Sequence, residues 1–346
     1  MLNSKNYYFE QLNKQQQKAY YSMYEGLSKI QDTFQVPILS NKELSDIYFM
    51  IRLDHPEIFY SVSFSYKYYK DSSMVELKPV YLFKKEKILE HKQAMLSRVN
   101  KIISKAANLS EKEKEIYIHD FIVNNVKYDK LKKEYSHEII GALGLGVAVC
   151  EGISKAVKLL CDSMNIWCIV ALSEANPDKN IKYRHAWNVI KIDGEMYHLD
   201  TTFDNTLSKN DIIRYDYVNL SDKEIFRDHE KLVWKVPQCT EGNGFYYKEK
   251  KLSWTTLDEV ENRTKQAVKK GKILLFHWRG GYLNKNILED LLGIFAKEAK
   301  LKNKVAIASV NMAQGVIKVE FSEGNKNICE VEEANEGEQE LILTDD

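Results

Sequence analysis

The chain has 346 residues, with 50 Lys+Arg and 50 Asp+Glu, so its formal net charge is zero. Hydrophobic residues make up 44% and charged residues 29%, which excludes a disordered, collagen-like or disulfide-stapled chain. A neutral chain is also a poor electrostatic partner for nucleic acid or an anionic membrane, so we expect neither as a partner. The length predicts two or three domains.

The N-terminus has no apolar run of signal-peptide length. No stretch approaches the roughly 18 apolar residues that a membrane span needs. The five cysteines form no C-x-x-C pair, so a zinc ribbon or a disulfide framework is not indicated, and reduced thiols are typical of the cytosol. No histidine pair has metal-ligand spacing on a convincing element. We therefore expect a cytoplasmic protein with no metal and no other cofactor.

The N-terminal region, residues 1–108, has the patterns of helices and a β-hairpin. Aromatic and β-branched residues predict a hairpin of two strands, over 57–69 and 74–83. Apolar residues at helical spacing predict helices over 8–29, 42–52, 84–107 and, just beyond this region, 111–126. Ser110 and Glu113 have the spacing of a capping box at the start of the last of these helices.

The central region, residues 109–236, contains a glycine-rich segment at 141–152. This composition predicts a loop or tight turn. An amphipathic helix follows, and then strands over 166–172, 184–192 and 195–203. Beyond a linker at 237–244, strands over 245–254, 273–278, 304–310 and 315–321 alternate with helices over 257–270 and 284–300. This order predicts a separate α+β domain over 237–329. Residues 330–346 hold eight acids and no basic residue, which predicts a disordered tail.

Cys150 lies where the glycine-rich loop meets the start of the amphipathic helix. The helix dipole and free backbone N–H groups favour a thiolate at this place, and the same N–H groups can stabilise an oxyanion. Gly152 is expected to permit close approach of a substrate. The alternative is that Cys150 is only a small buried hydrophobe, which is what we expect of Cys161 and Cys168.

A histidine and an aspartate occur on either side of a predicted hairpin turn at Asp193-Gly194. Such a turn pairs Trp187 with Asp200, so His185 and Asp200 point to the same face as diagonal neighbours, with Cβ atoms about 7–8 Å apart. The carboxylate would fix the imidazole tautomer and leave the other ring nitrogen for a thiol. A structural hydrogen bond on a sheet face is the alternative, and a register slip of one residue would separate the pair.

Three blocks then resemble the bacterial transglutaminase-like superfamily: residues 147–156 around Cys150, the run Arg184-His185-Ala186-Trp187-Asn188-Val189, and the run from Tyr197 to Asp204. They follow the family's order and cover about residues 115–235. The resemblance implies the papain-like α+β fold, with the cysteine helix packed on an antiparallel sheet. It also implies Cys150 as nucleophile, His185 as base and Asp200 as its orienting partner. Phe203 stands where many members have tryptophan.

Two further residues are candidates for the neighbourhood of this site. Tyr128 could supply a side-chain donor to the oxyanion, or lie in a solvated loop. Trp187 could shield the His185–Asp200 pair from water, or serve only in core packing. His198 shares the face of His185, and we interpret it as a packing or supporting group.

These patterns predict a thiol enzyme acting on an amide bond of a peptide or protein substrate through a thioester at Cys150. Water would resolve the thioester in a protease or amidase, and an amine in a transglutaminase; we favour hydrolysis slightly. The alternative is a catalytically silent scaffold that binds peptides or cell-envelope material. A weaker third possibility is acyl transfer from a thioester donor, as in arylamine acetyltransferases. No oligomeric state is predicted.

Overall fold

The structure is a computed structural model that describes residues 4–70, 72–209, 212–323 and 330–333. Its architecture is mixed α+β. The helices are α1 (Lys14–Ser28), α2 (Asn41–Asp54), α3 (Lys85–Ser104), α4 (Glu111–Asn125), α5 (Cys150–Ser163), α6 (Thr201–Leu207), α7 (Asp222–Ile225), α8 (Tyr246–Glu249), α9 (Leu257–Lys270) and α10 (Lys285–Lys300). Within the described ranges, no helix is both long and apolar enough to cross a bilayer.

Within the described part of the chain, the strands form four sheets. They are β1 (Phe34–Pro37), β2 (Ser61–Tyr68), β3 (Met74–Tyr81), β4 (Lys127–Tyr128), β5 (Val147–Ala148), β6 (Cys168–Leu172), β7 (Ala186–Ile192), β8 (Glu195–Leu199), β9 (Val218–Leu220), β10 (Ser253–Trp254), β11 (Leu274–Trp278), β12 (Lys304–Asn311), β13 (Val316–Glu323) and β14 (Glu330–Glu333). The sheet orders are β1-β3-β2, β4-β5, β6-β7-β8-β9 and β10-β11-β13-β12-β14.

The N-terminal region packs on the central region through α2. The buried carboxylate of Asp54, at the end of α2, accepts hydrogen bonds from the backbone N–H groups of Tyr8 and Phe9 and from the Tyr20 hydroxyl. The Tyr8 hydroxyl in turn donates to the Val170 carbonyl in β6, at 2.6 Å. The chain start is thereby bonded both to α2 and to the central sheet.

The central region places α5 against the antiparallel sheet β6-β7-β8-β9. One face of α5 is apolar, from Ile153 through Val157 to Leu160, and all three side chains are buried. The predicted capping box at Ser110 and Glu113 begins α4 as expected. The arrangement of a cysteine-bearing helix on an antiparallel sheet is therefore confirmed.

The hairpin of β7 and β8 has the predicted register. Ile192 pairs with Glu195 and Val189 with His198, and the turn residues Asp193 and Gly194 have positive φ values of 50° and 96°. The predicted strand over 195–203 is too long, because β8 ends at Leu199. Asp200 instead caps α6, which begins at Thr201.

The C-terminal region forms its own sheet with α9 and α10, and its apolar core is separate from the first core. The strand predicted over 245–254 is wrong for most of its length, because α8 occupies Tyr246–Glu249 and only Ser253–Trp254 is a strand. Phe245 and Tyr247 belong to the first core, and the second begins at Trp254.

Only the start of the predicted acidic tail falls within the described residues. There, β14 (Glu330–Glu333) pairs in parallel with β12. Residues 334–346 lie outside the described residues, and so does Cys329.

Candidate active site

His185 and Asp200 are in direct hydrogen-bond contact, as the hairpin register predicts. His185 precedes β7 and Asp200 follows β8, and the His185 Nε2–H donates to Asp200 Oδ2 at 2.6 Å. Burial alone would lower the pKa of His185, but the charge of Asp200 and the hydrogen bond to it, with a contribution from Cys150, raise it to about 9. Burial alone would raise the pKa of Asp200, but His185 holds it well below its usual range.

The second oxygen of Asp200 caps α6. Its Oδ1 accepts the backbone N–H groups of Thr202 and Phe203 at 2.8 and 3.1 Å. The strand-to-helix turn therefore fixes the orientation of the carboxylate relative to His185.

Cys150 is the first residue of α5 and is completely buried. It lies close enough to His185 to raise the pKa of that imidazole. The His185 Nδ1 is buried and has no hydrogen-bond partner of good geometry within the described residues. One ring nitrogen is thus held by Asp200, and the other is left beside the thiol.

Two hydrogen bonds join α5 to the strand that follows His185. The Ser154 hydroxyl, one turn beyond Cys150, donates to the Ala186 carbonyl at 3.0 Å. The Asn188 amide donates to the Ser154 carbonyl at 3.0 Å. This pair of bonds sets the spacing between the helix start and the imidazole, and it gives Asn188 a structural role.

A buried ionic cluster lies directly behind Cys150. Glu151 pairs with Lys155 at 2.6 Å and with Arg52 at 3.2 Å. Arg52 and Lys155 also pair with Glu138. Burial alone would raise the pKa of Glu151, but the charges of Lys155 and Arg52 hold it well below its usual range. The cluster bonds the first turn of α5 to α2 and to the loop before the cysteine.

Tyr128 lies next to Cys150, where a donor to the oxyanion would have to lie. Its strand β4 pairs in parallel with β5, two residues before Cys150. Burial and the charges of Cys150 and Asp200 raise the pKa of Tyr128, while hydrogen bonding with the backbone N–H of Cys150 opposes that rise. The phenol is therefore neutral and stays beside the N–H that an oxyanion would use.

Gly152 allows a close approach, but of the protein's own backbone and not of a substrate. A Cβ there would lie 2.2 Å from the Ser136 carbonyl oxygen and 3.2 Å from that of Glu138. The loop before Cys150 occupies the space for which the sequence predicted a substrate.

Trp187 combines the two roles proposed for it. It is completely buried, its ring is stacked 5.9 Å from His185, and its indole N–H donates to His198 Nδ1 at 2.9 Å. The His198 Nε2–H then donates to Asp222 at 2.8 Å. Trp187 thus covers the His185 ring, and His198 fixes the indole.

His229 is a member of this site that the sequence analysis missed. It follows α7 in an irregular segment, and its Nε2 lies 2.9 Å from Asp200 Oδ2, the oxygen that already accepts from His185. Its Nδ1 lies 2.8 Å from Asp228. No periodicity or turn signal points to it, since only the folded chain brings residue 229 next to residue 200.

Among the residues that the structure describes, two clusters have atoms close enough together to be considered as metal ligands. They are His185, Asp200 and His229, and a second set of His198, Asp222 and Cys239. In the first, both Nε2 atoms face Asp200 as hydrogen-bond donors. In the second, His198 Nδ1 accepts from the indole, so the proton is on Nε2 and no lone pair remains for an ion. Hydrogen bonds account for the closeness of both clusters.

Comparison with known protein families finds one family model that matches part of the chain. The model of the transglutaminase-like superfamily matches residues 97–201. No curated protein shows significant sequence similarity to the chain.

Similar solved structures include a TGase, with 13% identity, a TM-score of 0.30 and coverage of 53% of each chain. A candidate cysteine protease from Cytophaga hutchinsonii has 16% identity and a TM-score of 0.24, over 41% of this chain and 62% of that one. A candidate protease from Parabacteroides distasonis has 14% identity and a TM-score of 0.23, over 40% and 36%. The chain thus spans less than two thirds of each of these proteins.

The packing at Gly152 predicts that Gly152→Ala destabilises the protein. A helical glycine usually gains up to about 1 kcal/mol on replacement by alanine, but here the overlap with the Ser136 carbonyl should cost about 1–3 kcal/mol. Urea denaturation measures the change in the free energy of unfolding. Gly293→Ala in α10 is the matched control, because a Cβ there meets nothing within 4 Å, and it should be neutral or stabilising. Equal changes in stability for Gly152→Ala and Gly293→Ala would contradict the close contact between Gly152 and the Ser136 carbonyl.

The buried histidines predict that stability decreases as the pH rises from neutral. The pKa values of His119, His185 and His229 are each raised from 6.5 to about 9. A raised folded-state pKa stabilises fully below about pH 6.5, and the stabilisation is lost as the pH rises through about 9. The free energy of unfolding should fall by at least about 3 kcal/mol over this interval, because one such raised pKa alone is worth that much. Urea titrations at several pH values test this, and a flat profile would show that these histidines are not held as cations.

Proposed function

We propose that this chain, which belongs over residues 97–201 to the transglutaminase-like superfamily, is a thiol enzyme that acts on amide bonds of a peptide or protein substrate. Cys150 is the nucleophile, His185 the base, and Asp200 the group that orients the imidazole. The observation that carries the proposal is the arrangement of His185: Nε2 is bonded to Asp200, and Nδ1 is left without another partner beside a cysteine at a helix start.

The geometry supports the following reaction. With His185 as an imidazolium, the proton of the Cys150 thiol rests on Nδ1, and the sulfur attacks the amide carbonyl carbon as a thiolate. The Nδ1–H then gives this proton to the amine as the bond between carbon and nitrogen breaks. A thioester remains on Cys150. Water, deprotonated by Nδ1, attacks this thioester, and the released thiolate is again paired with the imidazolium. We assign the stabilisation of the oxyanion in both steps to the backbone N–H of Cys150 and the Tyr128 hydroxyl, which lie beside each other.

Hydrolysis is the outcome that we favour, because water is always available and transamidation needs a site for an amine. The scaffold alternative is disfavoured because Cys150, His185 and Asp200 are all present and the last two are in contact. Acyl transfer from a thioester donor stays a third possibility. The cytoplasmic location expected from the sequence stays a prediction.

The proposal predicts that Cys150 is alkylated faster than the other thiols that the structure describes. Cys150, Cys161, Cys168 and Cys239 are all buried, so burial alone does not select among them. Cys239 also lies near an imidazole, that of His198, but among these four thiols Cys150 alone combines an imidazole with a helix start. Substoichiometric iodoacetamide followed by peptide mapping should label Cys150 at least about 10-fold faster than the others.

His185→Ala should remove this advantage, and His91→Ala is the control, since that ring packs on Phe83 in another part of the molecule. Equal labelling of all four cysteines, or labelling of Cys150 that does not depend on His185, would favour the scaffold.

The proposal also predicts Cys150-dependent turnover of amide bonds. Incubation with a casein digest and a fluorescent alkylamine distinguishes the reactions, because hydrolysis releases new amino groups or ammonia and transamidation attaches the amine. We expect hydrolysis, with a loss of at least about 100-fold in Cys150→Ala. Amine incorporation would instead assign the chain to transamidation. Turnover that survives in Cys150→Ala would contradict the assigned nucleophile.

A further inference from the structure

A second histidine shares the carboxylate of the proposed triad. His229 and His185 both direct Nε2 at Asp200 Oδ2, at 2.9 and 2.6 Å. The other oxygen accepts two backbone N–H groups at the start of α6. A carboxylate offers about four lone-pair positions, and Asp200 uses all four. Without His229 one of these positions would be empty in a buried site.

His229 carries a positive charge in this arrangement. Its Nε2 faces Asp200 and its Nδ1 faces Asp228, both at hydrogen-bond distance. A neutral imidazole has only one N–H and ionised carboxylates only accept, so both contacts are hydrogen bonds only when the ring is an imidazolium. Burial alone would lower the pKa of His229, but the two carboxylates raise it to about 9.

The partner Asp228 is itself held from two directions. The Tyr217 hydroxyl donates to its Oδ2 at 2.6 Å. The Gln314 amide, in the turn between β12 and β13, lies 3.3 Å from each of its oxygens and donates also to the Glu224 carbonyl. The C-terminal sheet thus reaches the site through Gln314, although it supplies no member of the triad.

We propose that His229 is a positioning residue for the Cys150–His185 pair: it holds Asp200 against His185, and its fixed positive charge sets the pH range in which the pair reacts. The inference rests on the proposed function. Its physical basis is that a nearby cation favours loss of a proton from every neighbouring group. Removal of the positive charge of His229 should therefore raise the pH at which Cys150 and His185 lose their protons.

Several titratable side chains lie next to His229. His185 and Tyr217 have ring centroids 5.3 and 5.6 Å away. Burial lowers the pKa of His198, and the charge of His229 adds to this effect. The titratable or charged groups that face it are Asp200, Asp228, His185, His198 and Tyr217. Among these, Asp200 is the group that links His229 to the reacting pair.

The test is the pH dependence of Cys150 alkylation by iodoacetamide in the full chain, with Cys150 followed by peptide mapping. His229→Gln keeps an N–H for Asp200 and removes the charge. We expect the midpoints of its profile to move up by about one pH unit, with the plateau rate within about 3-fold of the wild type. His229→Leu removes the donor as well and should lower the plateau at least about 10-fold.

His119→Gln is the matched control. His119 is also buried between two carboxylates, Asp120 and Asp204, but it does not contact Asp200. Its profile should stay within a few tenths of a pH unit of the wild type. Urea denaturation of each variant gives the folded fraction, because a merely structural role of His229 would lower this fraction without moving the midpoints.

An unchanged profile in His229→Gln, or an equal shift in His119→Gln, would overturn the positioning role while leaving the thiol enzyme intact. A wild-type Cys150 that reacts no faster than the other thiols would instead overturn the proposed function, so the two failures are distinguishable.

Discussion

The carboxylate of Asp200 is the group on which the rest of the site depends. It lies where β8 ends and α6 begins, and its two oxygens receive donors from both directions along the chain. A buried ion is costly to desolvate, and this cost is offset only when its hydrogen bonds are complete. The two backbone N–H groups of α6 and the imidazoles of His185 and His229 complete them. The same residue therefore ends a strand, starts a helix and orients a base.

The nucleophile side of the site is held by a different kind of interaction. Ser154 and Asn188 bond α5 to the neighbouring strands, and Glu151 and Lys155 join its first turn to the N-terminal region through Arg52. Breaking one partner of such a buried ionic cluster leaves uncompensated charge, which is strongly destabilising. The N-terminal region is thus part of the support for the helix that carries Cys150, although it contributes no candidate for the chemistry.

The C-terminal region is related to the site in a similar way. Its own apolar core is separate, yet the end of β12 and the turn after it extend polar side chains into the central region. Asn311 donates to Asp216 and to the Tyr217 hydroxyl, and Gln314 contacts Asp228. Asp228 is also the hydrogen-bond partner of His229, so these bonds reach a direct neighbour of that imidazole. The region thus shares the first core through Phe245, Tyr247 and Val316, and it reaches the carboxylate partner of His229 through hydrogen bonds.

The amino-acid pattern was enough to predict the parts of the site that depend on local geometry. The Asp193-Gly194 turn sets the hairpin register, and a side-chain period of two then places His185 and Asp200 on one face. The helix after the glycine-rich loop follows from its apolar spacing, which puts Cys150 at the helix start. The role of His229, the backbone contact at Gly152 and the end of β8 at Leu199 could be seen only in the folded chain. Each of these depends on a neighbour that sequence spacing does not specify, because long-range packing brings the two groups together and the side-chain pattern on either segment alone carries no record of it.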